Sequence, residues 1–382
     1  MKNNNVCFFT GSRSEFGISK ILIECFNNYN IKYSLIVSGS HLFKDFGKTY
    51  DEIKKYKVRK IKKINLKNFK QILHQDLFSD SFLKYSKYLK KNKYKFAIIV
   101  GDRIETFSFG LACFFNEIKI IHLHGGELTQ GSLDNYFRNM ISIISHYHFV
   151  SNNIYKKRLV NLGQEPKKIF NIGSLSLEKI SKYKLINKKT FCELKKISNL
   201  KKIILVTYHP LSNKKKTLEE ISNIIKTCER FTKINIFFSS PSMDPNFEII
   251  IKIIKSSCKK NPNFHYFQSL GHYNYISVLK FSDLVIGNSS SAIIEAPFLK
   301  TPTINIGDRQ FGREMSCSIS NIRNVSFNKL TNMIKKLLSE KQRIKFQNKY
   351  SGKNPSKKFV DIINKKIIKD KSNKIFYEHK NK

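Results

Sequence analysis

The run Phe96-Ala97-Ile98-Ile99-Val100 has no polar position and stops at Gly101-Asp102-Arg103. A strand with one face in water alternates apolar and polar residues. A run like this one belongs to a parallel sheet with helices on both faces. The constraint extends along the chain, because strand and helix patterns alternate throughout. Strands are expected at 6–10, 33–38, 96–101, 118–123 and 148–151, and again at 202–208, 234–239, 283–287 and 303–307. Helices fall between them, at 18–28, 106–116, 136–145, 243–258, 291–299 and 329–339, with one more at 355–371. Thr217 is expected to open another helix, with Glu220 completing a capping box. The pattern loosens into a Ser- and Lys-rich passage around 173–187, and the domain boundary is placed near 180–190. The expected fold is α/β, with two facing Rossmann-like domains at 1–185 and 186–360 and a C-terminal helix and polar tail at 361–382. The last dozen residues are expected to fray. In open α/β sheets ligands bind at the carboxyl ends of the strands, so a ligand in the interdomain cleft is expected.

Composition removes several classes of function. At 382 residues the chain is long enough for two full cores, and 41% hydrophobic content is ordinary. The formal charge of +42 first suggests nucleic acid. Only ten of the 70 basic residues are arginine, the better reader of phosphates and bases, and the lysines are scattered rather than gathered in one tract. No nucleic-acid partner is expected. The seven cysteines (7, 25, 113, 192, 228, 258 and 317) are isolated, odd in number and never spaced as CxxC, which points to a reduced, cytoplasmic protein without a zinc site. The first apolar run is too short for a signal peptide, and no stretch reaches the length of a membrane span.

Chemistry-bearing residues gather at strand ends, and each has a plain structural alternative. Gly11-Ser12-Arg13 follows the first strand, where backbone amides and Arg13 can hold an anion; the alternative is a tight turn with a surface arginine. The segment reads GSRSEFG rather than GxGxxG, which disfavours a nicotinamide cofactor. Asp102 ends the apolar strand with Arg103 and Glu105 beside it; the alternative is a helix N-cap. His122 and His124 in HLHGGE suggest a metal, an acid–base or substrate contact, or a structural pair, with Glu127 and Asp134 near by. Gly125-Gly126 reads as close backbone approach to a ligand. Asp134 and Arg138, four apart, either form an ion pair on one helix face or reach the crevice beside Asp102. His209 ends the first strand of the second half. Ser289-Ser290-Ser291 joins a strand to a helix as an anion site or an ordinary cap, and Glu295 lies one turn on, able to accept from ribose hydroxyls.

Read together, TGSRSEFG, GDRIE, HLHGGELTQGSLDNYFR, NIGSLSLEKI, VTYHP, SLGHYNYISVLK, GNSSSAIIEAP and TPTINIGDRQFGR resemble the hydrolysing UDP-N-acetylglucosamine 2-epimerases of bacterial sialic-acid synthesis, from Val6 to about Ile363. The resemblance implies the glycosyltransferase-B-type fold, UDP-GlcNAc and water as substrates, UDP and N-acetylmannosamine as products, no cofactor, no obligatory metal, and a homo-oligomer (dimer or tetramer). It implies anti elimination of UDP to a 2-acetamidoglucal, then hydration with inversion at C2. By motif, Asp102, Asp134, Arg138 and His209 fall on sugar-site positions, and Ser289, Ser290, Glu295 and Arg309 on the nucleotide side. Arg13, Arg103, Glu127 and Gly271 are counted with the binding residues. His124 stands where the broader superfamily has Glu, and Asn135 where relatives often have a second Asp. The catalytic set expected is Asp102, His124, Asp134 and His209. The base is either Asp102 or Asp134 working with His124. Two alternatives remain at this level: the same chemistry on a UDP- or GDP-linked 2,4-diacetamido-trideoxyhexose, and a glycosyltransferase on the same fold.

Overall fold

The computed structural model describes residues 6–43, 49–67, 74–129, 133–197, 202–241, 246–340 and 344–378. They form two compact units. The first holds residues 1–127, 133–179 and 350–382; the second holds 128–132 and 180–349.

The first unit contains β1 (Val6–Thr10), α1 (Arg13–Asn28), β2 (Tyr33–Val37), α2 (Thr49–Lys54), β3 (Ile61–Lys63), α3 (His74–Lys91), β4 (Phe96–Val100) and α4 (Ile104–Phe115). It continues with β5 (Lys119–Leu123), α5 (Asp134–Ile144), β6 (Tyr147–Val150), α6 (Asn153–Asn161), β7 (Ile169–Asn171) and α7 (Leu175–Ser181). Its seven strands are all parallel, in the order β3-β2-β1-β4-β5-β6-β7. Alternate strand residues feed two cores. Phe8, Leu35, Ile98, Ile121 and Phe149 pack on one face, and Cys7, Phe9, Ile36, Ala97, Ile99 and Ile120 on the other. Both faces being covered is why the central strands carry no polar alternation.

The second unit starts with α8 (Lys188–Leu194) and holds β8 (Ile203–Thr207), α9 (Lys214–Glu229), β9 (Asn235–Ser239), α10 (Phe247–Lys260), β10 (Phe264–Phe267) and α11 (Gly271–Phe281). β11 (Leu284–Gly287), α12 (Ser290–Phe298), β12 (Thr303–Ile306), β13 (Ile319–Ile322) and α13 (Phe327–Ser339) follow. Its six parallel strands run β10-β9-β8-β11-β12-β13, the same doubly wound order.

Several expectations are corrected. The chain crosses between units at 179/180 and returns at 349/350, rather than at 185 and 360. The return has a physical cause. In α14 (Pro355–Ile362), Phe359 packs on Phe149 with ring centres 4.4 Å apart, and Ser356 bonds Glu178 through both its amide and its hydroxyl at 2.7 Å. The polar tail does not fray over its described part. Lys374 Nζ donates to Ser145 O and Gln164 Oε1, and the Tyr377 amide donates to Gly163 O at 2.8 Å. Helix α1 starts at Arg13, five residues before the expected position, because Ser12 and Glu15 form a capping box. The box expected at Thr217 and Glu220 does not form. Asn213 caps α9 from four residues earlier, and the Thr217 hydroxyl accepts from the Leu211 amide at 2.9 Å.

Candidate active site

Each sheet reverses its winding at one point, between β1 and β4 in the first unit and between β8 and β11 in the second. Such switch points are where doubly wound sheets bind ligands.

At the first switch point, Glu15 fills the start of α1. Its Oε2 accepts from the Gly11 amide at 2.6 Å and the Ser12 amide at 3.1 Å, and its Oε1 accepts from Thr106 Oγ1 at 2.6 Å. Burial, with Glu105 adding repulsion, pushes the Glu15 carboxyl up to about 7 despite these bonds. The amides read as an anion seat are therefore occupied by the protein's own carboxyl. Arg13 turns to Glu52 at 3.3 Å, with both side chains about half exposed. Glu105 is fully buried, with Arg103 Nε 3.6 Å from its Oε1.

Asp102 is not a cap, since Arg103 holds the N-cap position of α4 and makes no side-chain capping bond. The Asp102 carboxylate instead receives Arg138 Nη2. Arg138 reaches from α5, is 5% exposed, and donates through Nη1 to Glu127 O at 2.9 Å and Asn135 Oδ1 at 3.3 Å. Arg138 thus reaches Asp102 at the strand end. Asp134 is the first residue of α5, half-buried, one turn before Arg138. Residues 130–132 of the same motif lie outside the described residues.

The two histidines of HLH separate. His122 is fully buried on β5, and burial pulls its ring down to about 4, so it is neutral. Nε2 lies 2.9 Å from the Gly101 carbonyl, which can only accept, so Nε2 carries the proton and Nδ1 accepts from Ser142 Oγ at 3.1 Å. His122 thus props the turn that carries Asp102. His124 lies beyond the strand end at φ +65°, a left-handed conformation that costs a β-carbon residue about 1–2 kcal/mol. Its Nδ1 is 2.6 Å from Glu127 Oε1. Among the described residues no group of three or more His, Cys, Asp or Glu side chains is arranged to hold a metal ion. Gly126, at φ +75°, is needed for the protein's own packing: a Cβ there would lie 2.5 Å from Tyr155 O. At Gly125 a Cβ would lie 2.9 Å from Ser142 Oγ, on α5.

At the second switch point, Gly287 sits at φ +146°, where a Cβ would lie 2.0 Å from Thr207 O. Only glycine fits. Asn288 follows, fully buried, and its amide clasps His209 on the β8 side. The His209 amide donates to Asn288 Oδ1 at 2.7 Å, and Asn288 Nδ2 donates to His209 O at 2.9 Å. The Asn288 carbonyl accepts from Gln310 Nε2 at 2.8 Å and Arg309 Nη1 at 3.2 Å. Ser289 caps α12, accepting from the Ser291 amide at 3.4 Å, and the Ser289 and Ser291 hydroxyls are 3.0 Å apart, with Tyr275 Oη also on Ser291. Ser290 is the first residue of that helix and Glu295 the sixth. Pro297 is the eighth of its nine residues. Beneath this point Tyr208 Oη donates to Glu220 Oε2 at 2.8 Å, and burial raises the Glu220 carboxyl. Gly271 starts α11 at φ +65°, with open space where a Cβ would project.

The site residues therefore fall into two groups. Asp102, Arg103, His124, Glu127, Asp134, Arg138 and Arg13 belong to the first unit. His209, Gly271, Ser289, Ser290, Glu295 and Arg309 belong to the second. Sequence reasoning missed the roles of Glu15, Asn288 and Gln310, and left His122 among three alternatives. Asn288 stood inside a quoted motif but carries no charge to draw notice.

Two doubly wound α/β units with polar switch points place the chain in the glycosyltransferase-B-type class, as expected. Within that class the chain belongs to the UDP-N-acetylglucosamine 2-epimerase family, whose model matches residues 24–364. It is 39% identical over 344 residues, 89% of each chain, to a GDP/UDP-N,N'-diacetylbacillosamine 2-epimerase (hydrolyzing) of Campylobacter jejuni. It is 34% identical to polysialic acid biosynthesis protein P7 of Escherichia coli, over 83% of this chain and 82% of that one. Its fold is similar to that of a UDP-GlcNAc 2-epimerase from Neisseria meningitidis solved with UDP-GlcNAc, at TM-score 0.78 and 18% identity, covering 94% of this chain and 100% of that one. Among the described residues no helix is long and apolar enough to cross a membrane.

Proposed function

We infer that the chain is a hydrolysing 2-epimerase acting on a nucleotide-linked 2-acetamido sugar, releasing the nucleoside diphosphate and the C2-inverted free sugar. The observation that carries this reading is the first switch point of a family member: a carboxylate, Asp102, held by a buried arginine and propped by a neutral histidine, beside the His124–Glu127 pair. A weakly acidic C2 proton needs a fixed base, and fixed position is what this arrangement supplies. Asp102 takes the C2 proton as the C1–O bond breaks. The electron pair forms the C1–C2 double bond, and UDP leaves with the bridging oxygen. The start of α12, with Ser289, Ser290 and Arg309, stabilises the departing diphosphate. Water then adds its hydroxyl at C1, and a proton enters C2 from the opposite face; His124, Asp134 and His209 are the donors and orienting groups for that half.

UDP-GlcNAc is the first substrate. A second reading, a UDP- or GDP-linked diacetamido-trideoxyhexose, is favoured by the 39% identity to the Campylobacter enzyme named for that sugar. The test is turnover of the purified protein on UDP-GlcNAc and on UDP- and GDP-diacetylbacillosamine, reading nucleotide release and sugar configuration. One of them is expected to be turned over at least tenfold faster than the others, with no added cofactor and after exhaustive chelation. Release only in the presence of a sugar acceptor would make the protein a transferase instead.

A further inference from the structure

We propose that Asn288 is a positioning residue that sets His209 against the start of α12; the role rests on the function inferred above. β8 and β11 pair in parallel up to Thr207 and Gly287, and the last ladder bond runs from the Asn288 amide to Thr207 O at 3.2 Å. Beyond that point the backbones part. The Asn288 side chain then takes over the ladder, meeting both backbone groups of His209 with one acceptor and one donor. No other side-chain type of this length offers both. The residue is 0% exposed, so water cannot substitute for a lost partner.

The other side is equally fixed. Gln310, 1% exposed, gives its Nε2 to the Asn288 carbonyl, and Arg309 adds a second donor. The next residue, Ser289, is the cap of α12. Asn288 therefore ties together the ends of β8, β11 and β12. It fixes the spacing between a histidine that meets the sugar and a helix start that meets the diphosphate. Misplacing such groups by about 1 Å costs on the order of a hundredfold in rate.

The test is a double-mutant cycle of Asn288→Ala and His209→Ala on the full chain, at a temperature well below the melting point of each variant. Asn288→Ala is expected to lower kcat about 10- to 100-fold while UDP affinity changes less than about threefold, and to cost less than about threefold when His209 is already alanine. A purely structural residue would lower the melting temperature and leave kcat alone. Multiplying losses, or parental kcat in the single variant, would overturn the proposal. Asn288→Asp, which keeps the acceptor but not the donor, enters the same cycle if the alanine variant does not fold. The His209 ring resonance, assigned by its disappearance in His209→Ala, gives a readout without substrate. It is expected to shift in Asn288→Ala, and an unchanged resonance counts against the role. If the parent turns over none of the nucleotide-sugars, the functional reading falls, and the resonance alone decides the positioning claim.

Discussion

β4 and β11 hold the same place in their sheets, fourth in the order, and each leads through a glycine, an Asx residue and one cap residue into a helix. The first reads Gly101-Asp102-Arg103, the second Gly287-Asn288-Ser289. One atom's difference in the Asx side chain goes with opposite uses. Asp102 keeps its side chain 20% exposed and binds an arginine from α5, so a carboxylate stands at the strand end. Asn288 turns inward, fully buried, and spends its amide on the neighbouring backbone. The helix starts differ too. In the first unit Glu15 occupies the amides of Gly11 and Ser12 at the start of α1, whereas α12 starts with serine hydroxyls. Under the proposed function, two units of one topology take different tasks, proton transfer in the first and anion binding in the second.

The largest expected effect tests the first half of that contrast. Asp102→Asn preserves the acceptor for Arg138 and removes the base, so kcat should fall about 10²- to 10⁴-fold while UDP still binds. Near-parental turnover would make Asp102 a structural partner of Arg138. Next comes the second half. Arg309→Ala should weaken UDP binding by about 1.5–3 kcal/mol, measured by calorimetry, through loss of a charged donor to phosphate. Parental affinity would remove Arg309 from the diphosphate site.

A smaller effect sharpens the picture of the self-occupied helix start. The Glu15 carboxyl sits near 7 in the folded chain against 4.5 for the free group, held up by burial and then by Glu105. A raised folded value means the native state holds the proton more tightly. The stability this contributes is complete below about 4.5 and is lost as pH rises through about 7. The melting temperature of Glu15→Gln relative to the parent should therefore rise between pH 5 and pH 8. A constant difference across that range would show that Glu15 is ionised throughout.

The sequence made the interior strands legible and the edges not. Every strand read in advance has a neighbour on both sides; the four missed, β3, β7, β10 and β13, are the four sheet edges. Edge strands are short and half-covered. In Ile61-Lys62-Lys63 only the isoleucine is not exposed, so no apolar run announces it. Asp102, His209 and Arg309 could be picked out because they sit just past the ends of interior strands. Asn288 and Gln310 could not, because their function is in hydrogen bonds between segments distant in sequence. Glu15 was visible only as part of a motif, since a capping box and an anion seat use the same amides. The return of the chain at 350 was hidden because α14 looks like any amphipathic helix; which core it joins is decided by Phe359 and Glu178.

The proposed function rests on elimination, with the C2–H bond broken at Asp102 as the nucleoside diphosphate leaves. Turnover of the accepted nucleotide-sugar in D2O tests it directly. The account predicts one deuterium at C2 of an inverted free sugar and, in 18O-labelled water, solvent oxygen at C1 with none in the released nucleotide. A product with its original configuration and protium at C2 would contradict it.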